Sequence, residues 1–388
     1  MIIYFIGQKG MPAKFGGVEK HVEELSTRLV KTGHQVYVYT RPSYTDPKLK
    51  TYKGVNLISL STIVTKHLDA ITHTFRACLD VSRHQVDIIH FHSIGPSSLI
   101  WLVKILKPNV PIVATFHSQC YKHQKWGSLA KLYLKFGEKM LCLSADRVIA
   151  ISQSLTKYVE KKYKVVANYI PNGVETHEDF QAQEIKKLGL EKDNYILVVS
   201  RLVRQKGIHF LIKAFQQIET DKKLVIVGNG YFTDSYVKEL KSLAASCNNI
   251  IFTGNQTDST LAELFSNAFL FVQPSELEGL SIALLEAMSY GKCSLISDIP
   301  ENIEAIGNDI SVFKNKDKED LKNKLIYFLN NPLLVKECGE NNKKRVEKEY
   351  NLENIVSKTV KVYEQVVKKK IAVKIDFTRI VKFVKIFL

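Results

Sequence analysis

Two carboxylates stand eight residues apart in Ser275-Glu276-Leu277-Glu278-Gly279-Leu280-Ser281-Ile282-Ala283-Leu284-Leu285-Glu286-Ala287-Met288, with a glycine after the first and an apolar run between them. The apolar segment Ala268–Val272 leads in and Pro274 ends it, so Glu278 is expected in a strand-to-helix loop and Glu286 inside the helix that follows. Eight helical residues rise roughly 12 Å. Carboxylates that share one glycosidic bond stand about 5–9.5 Å apart. The pair is therefore too spread for hydrolysis and suits two grips on one long ligand, such as a nucleotide sugar. Between the grips, the amides of Gly279, Leu280 and Ser281 would open the helix, where a diphosphate meets N–H donors lacking helical partners. The pattern also fits two surface glutamates on an ordinary βα unit.

Other candidates follow apolar strand-like runs. Arg201 and Lys206 come after Tyr195–Val199, where two fixed cations could clamp a diphosphate and offset the charge that builds on a leaving group. The same pair, with Arg204 between its members, also reads as a solvated basic loop. The stretch Gly10 to Gly17 joins a first strand to a helix; its glycines let backbone approach a phosphate or sugar closely, and the helix end adds a positive dipole. It lacks G-x-G-x-x-G and P-loop spacing, so it is not a dinucleotide fingerprint. His117 follows Ile112–Phe116 and could bond a ligand hydroxyl, although a lone histidine there is equally a structural one. His90 and His92 alternate at another strand end, and His92 is assigned with Lys9 to the acceptor side. With one strand-end histidine singled out, no carboxylate at ligand spacing and no DXD motif, no metal site is expected.

A βα pattern repeats along the chain, which implies parallel sheets with helices on both faces. Strands are expected at Ile2–Ile6, Gln35–Tyr39, Ile88–Phe91, Ile112–Phe116 and Arg147–Ile151. A second set is expected at Tyr195–Val199, Leu224–Val227, Ile250–Thr253, Phe269–Val272 and Cys293–Ser297, and Val18–Lys31 makes an amphipathic helix. Each set forms a doubly wound, Rossmann-like α/β domain that binds ligands at the carboxyl ends of its strands, and two such domains would face a cleft. A chain of 388 residues is too long for one core. The divisions are drawn at 1–172 and 173–349, with turn chemistry at Pro171-Asn172-Gly173, then a helix over 350–367 and a basic tail over 368–388.

Over residues 1 to about 365 the chain resembles the retaining, GT-B-fold glycosyltransferases of family 4. The landmarks recur in order: Gly16-Gly17-Val18-Glu19, Thr115-Phe116-His117, Ile170-Pro171-Asn172-Gly173-Val174, Ser200-Arg201-Leu202-Val203-Arg204-Gln205-Lys206-Gly207, Val227-Gly228-Asn229-Gly230 and the glutamate segment. The opening loop is most similar to that of bacterial surface-polysaccharide enzymes, rhamnosyltransferase-like members included. Gly279-Leu280-Ser281 departs from the G-F-G of many members, a difference that bears on donor-sugar preference. The resemblance implies an active-site place for His117 and a diphosphate-binding pair in Arg201 and Lys206. It places Glu278 by the sugar, Glu286 on the ribose hydroxyls, and Gly16, Gly17, Gly279, Leu280 and Ser281 around the donor. It further implies retention by front-face attack, no cofactor beyond a nucleotide-diphosphate sugar as co-substrate, and a last long helix, Leu352–Val367, crossing back to the first domain.

Composition narrows the setting. Apolar content of 45% and charged content of 24% suit an ordinary globular protein. The start, Met1–Gly7, reads as a buried strand rather than a signal peptide, and no apolar run approaches the 18 or so residues of a membrane span. Six scattered cysteines without a C-x-x-C pair favour reduced thiols in the cytosol. The net charge of +16 would suit nucleic acid, but no RNP-like, zinc-finger or helix-turn-helix pattern accompanies it, and no nucleic-acid partner is expected. Lysines instead interleave with apolar residues in Tyr121–Met140 and Lys368–Leu388, the latter carrying six lysines and one arginine against Asp376. Both segments are expected to lie on an anionic membrane surface. The expected enzyme is a cytoplasmic one, peripheral at the inner face of the plasma membrane. It moves a hexose from a nucleotide sugar to a lipid-linked saccharide acceptor; the alternatives are the same fold with a soluble acceptor and a non-catalytic nucleotide-sugar-binding subunit.

Overall fold

The computed structural model describes the chain except residues 66–67, 123–125, 179, 231–232 and 388, and the side chains of 258 and 371–387. The chain forms two units, Met1–Lys14, Val18–Pro171 and Glu353–Leu388 in one, Phe15–Gly17 and Asn172–Leu352 in the other.

In chain order the first unit runs β1 (Ile2–Ile6), α1 (Gly17–Lys31), β2 (Gln35–Thr40), β3 (Thr51–Tyr52), β4 (Val55–Ser59), α2 (Leu68–Val81), β5 (Ile88–His92), α3 (Ile94–Ser97), α4 (Ile100–Leu106), β6 (Ile112–Phe116), α5 (Ser128–Ser144), β7 (Arg147–Ala150), α6 (Gln153–Tyr163) and β8 (Asn168–Tyr169). The second runs β9 (Tyr195–Val199), α7 (Ile208–Phe215), β10 (Lys223–Val227), α8 (Asp234–Ala244), β11 (Ile250–Gly254), α9 (Asp258–Ser266), β12 (Leu270–Gln273), α10 (Ile282–Ser289), β13 (Ser294–Ser297), α11 (Pro300–Ile306), β14 (Val312–Phe313), α12 (Lys318–Leu329) and α13 (Pro332–Glu349). A final helix, α14 (Leu352–Phe387), belongs from Glu353 onward to the first unit.

The first sheet has the order β3-β4-β2-β1-β5-β6-β7-β8, and every pairing except β3 with β4 is parallel. The second has the order β11-β10-β9-β12-β13-β14 and is wholly parallel. Runs such as Ile3-Tyr4-Phe5-Ile6 and Leu224-Val225-Ile226-Val227 are buried throughout, as strands covered by helices on both faces must be. The doubly wound reading thus holds for both sheets. The two-residue strands β3, β8 and β14 went unread because such short runs carry too little pattern to register, and β4, Val55-Asn56-Leu57-Ile58-Ser59, went unread because polar residues interrupt its apolar run.

Two element boundaries differ from the reading in ways that matter for function. The helix after Glu278 begins at Ile282, with Ser281 as its N-cap, not at Gly279. The crossover helix does not stop near Val367 but continues unbroken for 36 residues, so Lys368 onward prolongs it. Its docking is polar as well as apolar: Tyr363, fully buried, reaches Nδ1 of His90 in β5 through its hydroxyl at 2.6 Å.

Helix α5 lies so close to α3 that a methyl on Gly137 would overlap the Ile94 carbonyl. Gly137→Ala should therefore destabilise the protein by about 1–3 kcal/mol through overpacking. That outcome reverses the gain of about 1 kcal/mol that alanine brings to an open helix site. Chemical denaturation of the two proteins measures the sign; a more stable variant would refute the close approach.

Candidate functional site

In a doubly wound sheet the loops diverge where the winding direction reverses, and the crevice there takes ligands. In the second unit the reversal lies between β9 and β12. The loop after β9 carries Arg201 and Lys206; the loop after β12 carries Glu278. Gly207, at φ +68°, lets the first loop pass against the Pro274 carbonyl, which a side chain would strike. A backbone bond from Glu276 N–H to the Gln205 carbonyl, 2.8 Å, ties the loops together.

Glu278 is held from three sides. Its Oε1 accepts from Gln273 Nε2 and from Ser275 Oγ, each at 2.6 Å, and forms an ion pair with Lys206 Nζ. Both partners are largely buried, at 10% and 14% side-chain exposure, so water screens the pair little. All these donors reach Oε1, which leaves Oε2 for a ligand. Arg201 makes no side-chain ion pair or hydrogen bond to the described residues, so its guanidinium is uncommitted. Arg204 is spent elsewhere, paired with Glu239 and stacked 5.0 Å over Tyr236.

The donor loop needs one correction. Ser281 Oγ accepts from Leu284 N–H at 3.4 Å, and the buried Leu280 gives its carbonyl to Asn172 Nδ2 at 2.9 Å. Gly279 and Leu280 thus precede the helix, and its open N–H groups are those of Ile282 and Ala283. Glu286 sits half-buried about one turn into α10, some 6 Å of helix from its start. The 12 Å span read from the sequence counted loop residues as helix.

In the first unit the winding reverses between β1 and β5. The loop after β1 is already built: the amides of Lys9, Met11, Ala13 and Lys14 bond Glu19, Thr45, Glu23 and Tyr44 at 2.5–3.1 Å. Those amides are not available to a phosphate. No described residue bonds the amides of Gly16 or Gly17, which count with the second unit. Lys9 is half-buried beside this loop.

His92 ends β5, pairs in register with Thr115 and is fully buried. Its Nδ1 lies 3.0 Å from Nε2 of His117, which follows β6. His21 on α1 joins them edge-on to His117, with ring centroids 5.1 Å apart. One ring nitrogen from each of these three buried residues falls within 4.8 Å of the others, a donor set that could hold a divalent ion. The reading of a single strand-end histidine is thereby corrected. Spacing along the chain cannot reveal that β5 and β6 are neighbours and that α1 covers their ends. His92, assigned with Lys9 to the acceptor side, is fully buried against His117. Burial, reinforced by neighbouring imidazoles, holds the pKa of His90, His92 and His117 well below the ordinary histidine value. Burial likewise pushes His73 down to about 3, helped by the charge of Arg41.

The basic apolar segments are only partly outward. Of Tyr121–Met140, residues 123–125 lie outside the described set; Leu129, Leu132 and Phe136 are exposed, as are Lys131, Lys135 and Lys139. Tyr121 and Tyr133 instead point inward, bonded to Tyr158 and Ser98. Helix α4, for which the sequence analysis makes no expectation, exposes Trp101, Ile105 and Leu106. Lys370 on α14 bonds the Pro108 carbonyl at 3.0 Å, just past α4. Among the described residues no helix is long and apolar enough to cross a membrane.

Comparison with known proteins bears on the family and the fold. Residues 15–178 match the family model for Glycosyltransferase Family 4, and residues 180–345 that for Glycosyl transferases group 1. The chain is a glycosyltransferase of the group 1, family 4-like kind, with the GT-B fold. It is 26% identical to the O-antigen chain mannosyltransferase C of Escherichia coli, over 92% of this chain and 97% of that one. Its fold is similar to that of sucrose-phosphate synthase from Thermosynechococcus elongatus, with TM-score 0.82 and 22% identity over 95% and 99% of the chains. It is also similar to HepE of Anabaena in complex with UDP and glucose, with TM-score 0.79 and 17% identity over 94% and 100%. As a glycosyltransferase it moves sugar from a nucleotide sugar.

The four strongly depressed histidines, His73, His90, His92 and His117, make the fold acid-sensitive. Above about pH 6.5 each is neutral both folded and unfolded and contributes no pH dependence. Below it, the unfolded chain takes up protons that the folded one refuses, so stability falls by about 1.4 kcal/mol per pH unit for each such histidine. Melting curves recorded from about pH 7.5 to about 5 should show a steady drop starting near 6.5. A flat profile would contradict the burial of neutral imidazoles.

Proposed function

We propose that the enzyme transfers a hexose, with retention of anomeric configuration, from a nucleotide-diphosphate sugar to a polyprenol-linked saccharide in surface-polysaccharide synthesis. The observation that carries the reading is the convergence of Lys206 and Glu278 at the reversal point of the second sheet, beside the uncommitted Arg201. Arg201 and Lys206 receive the diphosphate, whose negative charge grows as the bond from the anomeric carbon to its oxygen breaks. A hydroxyl of the acceptor forms the new C–O bond on the same face and passes its proton to the departing phosphate. Glu278 presents Oε2 to the sugar from a carboxylate that three donors hold still, and Glu286 accepts from the ribose hydroxyls. His117 bonds the sugar. No metal is required, because side-chain cations supply the charge.

Glu286→Ala should raise the donor Kd by roughly 10- to 100-fold with kcat little changed, as loss of a charged hydrogen bond costs about 1.5–3 kcal/mol. Arg201→Ala should instead lower kcat, because its charge matters most in the transition state. Calorimetry and steady-state kinetics separate the two effects, and equal losses in both variants would sink the assignment. Activity should also survive EDTA; complete loss, restored by Mg²⁺, would replace the side-chain cations with a metal.

Attachment to an anionic bilayer is the second part of the proposal, supported by the exposed Leu129, Leu132, Trp101 and Ile105 among lysines. Each basic residue near such a surface adds about 1 kcal/mol of attraction, and the apolar side chains enter the headgroup layer. Flotation with anionic vesicles is the test. Replacing those four exposed residues by aspartate should release the protein without changing its melting temperature much, and ending the chain at Lys370 should weaken binding further. If both variants float as the parent does, the acceptor is soluble, as sucrose-phosphate synthesis illustrates, or reached by another surface.

A further inference from the structure

The proposed function gives His117 a contact with the sugar; what that contact can be depends on which ring nitrogen carries the proton. The inference here rests on that reading. Nε2 of His117 faces Nδ1 of His92 at 3.0 Å, and one proton lies between them. The His92 ring cannot turn to offer another atom. Phe5 stacks on it at 17° and 5.3 Å, and His90 lies 4.1 Å away. His90 is itself pinned by Tyr363 at Nδ1, 2.6 Å, and by Thr115 at Nε2, 2.7 Å. On its far side, His92 Nε2 is buried and has no hydrogen-bond partner.

A neutral imidazole carries one N–H. If His117 donated, the proton of His92 would sit on Nε2, leaving a buried N–H with nothing to bond. If His92 donates, Nε2 is left as a bare lone pair. Orphaned buried N–H groups are rarer in proteins than under-used acceptors, and they cost the full desolvation of a donor. We propose that His92 is a positioning residue that donates Nδ1–H to His117 Nε2 and so fixes His117 as the Nδ1–H form. Both rings are buried, and the assignment rests on which of their nitrogens has a partner. In this form His117 faces its ligand with a donor. It grips an oxygen of the sugar, and it does not act as the base that takes the acceptor proton.

Nitrogen NMR of protein labelled with ¹⁵N-histidine reads the tautomers directly. In the parent protein both His117 and His92 should carry their proton on Nδ1. His92→Asn places an amide N–H close to the former Nδ1; it should keep the His117 tautomer and most of kcat. His92→Leu removes the donor. His117 should then shift toward the Nε2–H form, and kcat should fall about tenfold or more with donor KM little changed. Should the leucine variant not fold, the parent spectrum and the asparagine variant still decide. A parent His117 protonated on Nε2 overturns the inference. So does stoichiometric zinc in the purified protein, with the resonances of His21, His92 and His117 moved by it, because the three rings would then be ligands. The spectrum needs no turnover, so a chain that shows the tautomer but transfers no sugar counts against the proposed function alone.

Discussion

A parallel sheet covered by helices on both faces can meet a ligand only where its strands end. Every backbone group inside the sheet is used in the ladder, and both faces are filled with apolar side chains. Chemistry is then confined to the loops, and a gap opens only where consecutive helices go to opposite faces. This chain meets the constraint twice, between β1 and β5 and between β9 and β12. The candidate residues gather at those two places: His92 and His117 with the tied-down glycine loop at the first, Lys206, Glu278 and Arg201 at the second. The acceptor and donor chemistry of the proposed reaction is a consequence of where winding reverses.

The two places are built from different materials. The second is ionic, with a carboxylate whose partners all crowd one oxygen and an arginine left over. The first is neutral, a nest of imidazoles that burial keeps from charging. A diphosphate needs fixed positive charge, whereas a sugar hydroxyl needs oriented but uncharged hydrogen-bonding groups. The division of labour follows from these demands.

Much of this was legible in the residues. Strand runs such as Ile112–Phe116 and Tyr195–Val199 were read to the residue because parallel strands are continuous apolar runs bounded by polar loops. Glu278, Arg201 and Lys206 were singled out because each follows such a run. What escaped was adjacency across the sheet. The register of β5 against β6 brings His92 to His117, and α1 adds His21, but no periodicity records which strands are neighbours. The start of α10 was misplaced because Gly279 and Leu280 carry no mark of being outside a helix; only the Ser281 cap shows it. Trp101 and Ile105 drew no notice in the sequence because an exposed apolar residue and a buried one are the same letter.

The length of α14 has a consequence of its own. One uninterrupted helix carries Tyr363 on its way to Phe387, and the 24 residue steps from one to the other span about 36 Å at helical rise. A disordered tail would act as a leash, whose far end wanders while the near end stays put. A helix has no slack. Whatever surface captures the last turns also sets the orientation of Tyr363, and with it the His90 ring that Tyr363 holds. With a surface holding its last turns, the tail would be a ruler rather than a tether: it would prescribe a distance and a tilt between that surface and the imidazole nest, and a proline in the stretch between would abolish both without removing a single charge.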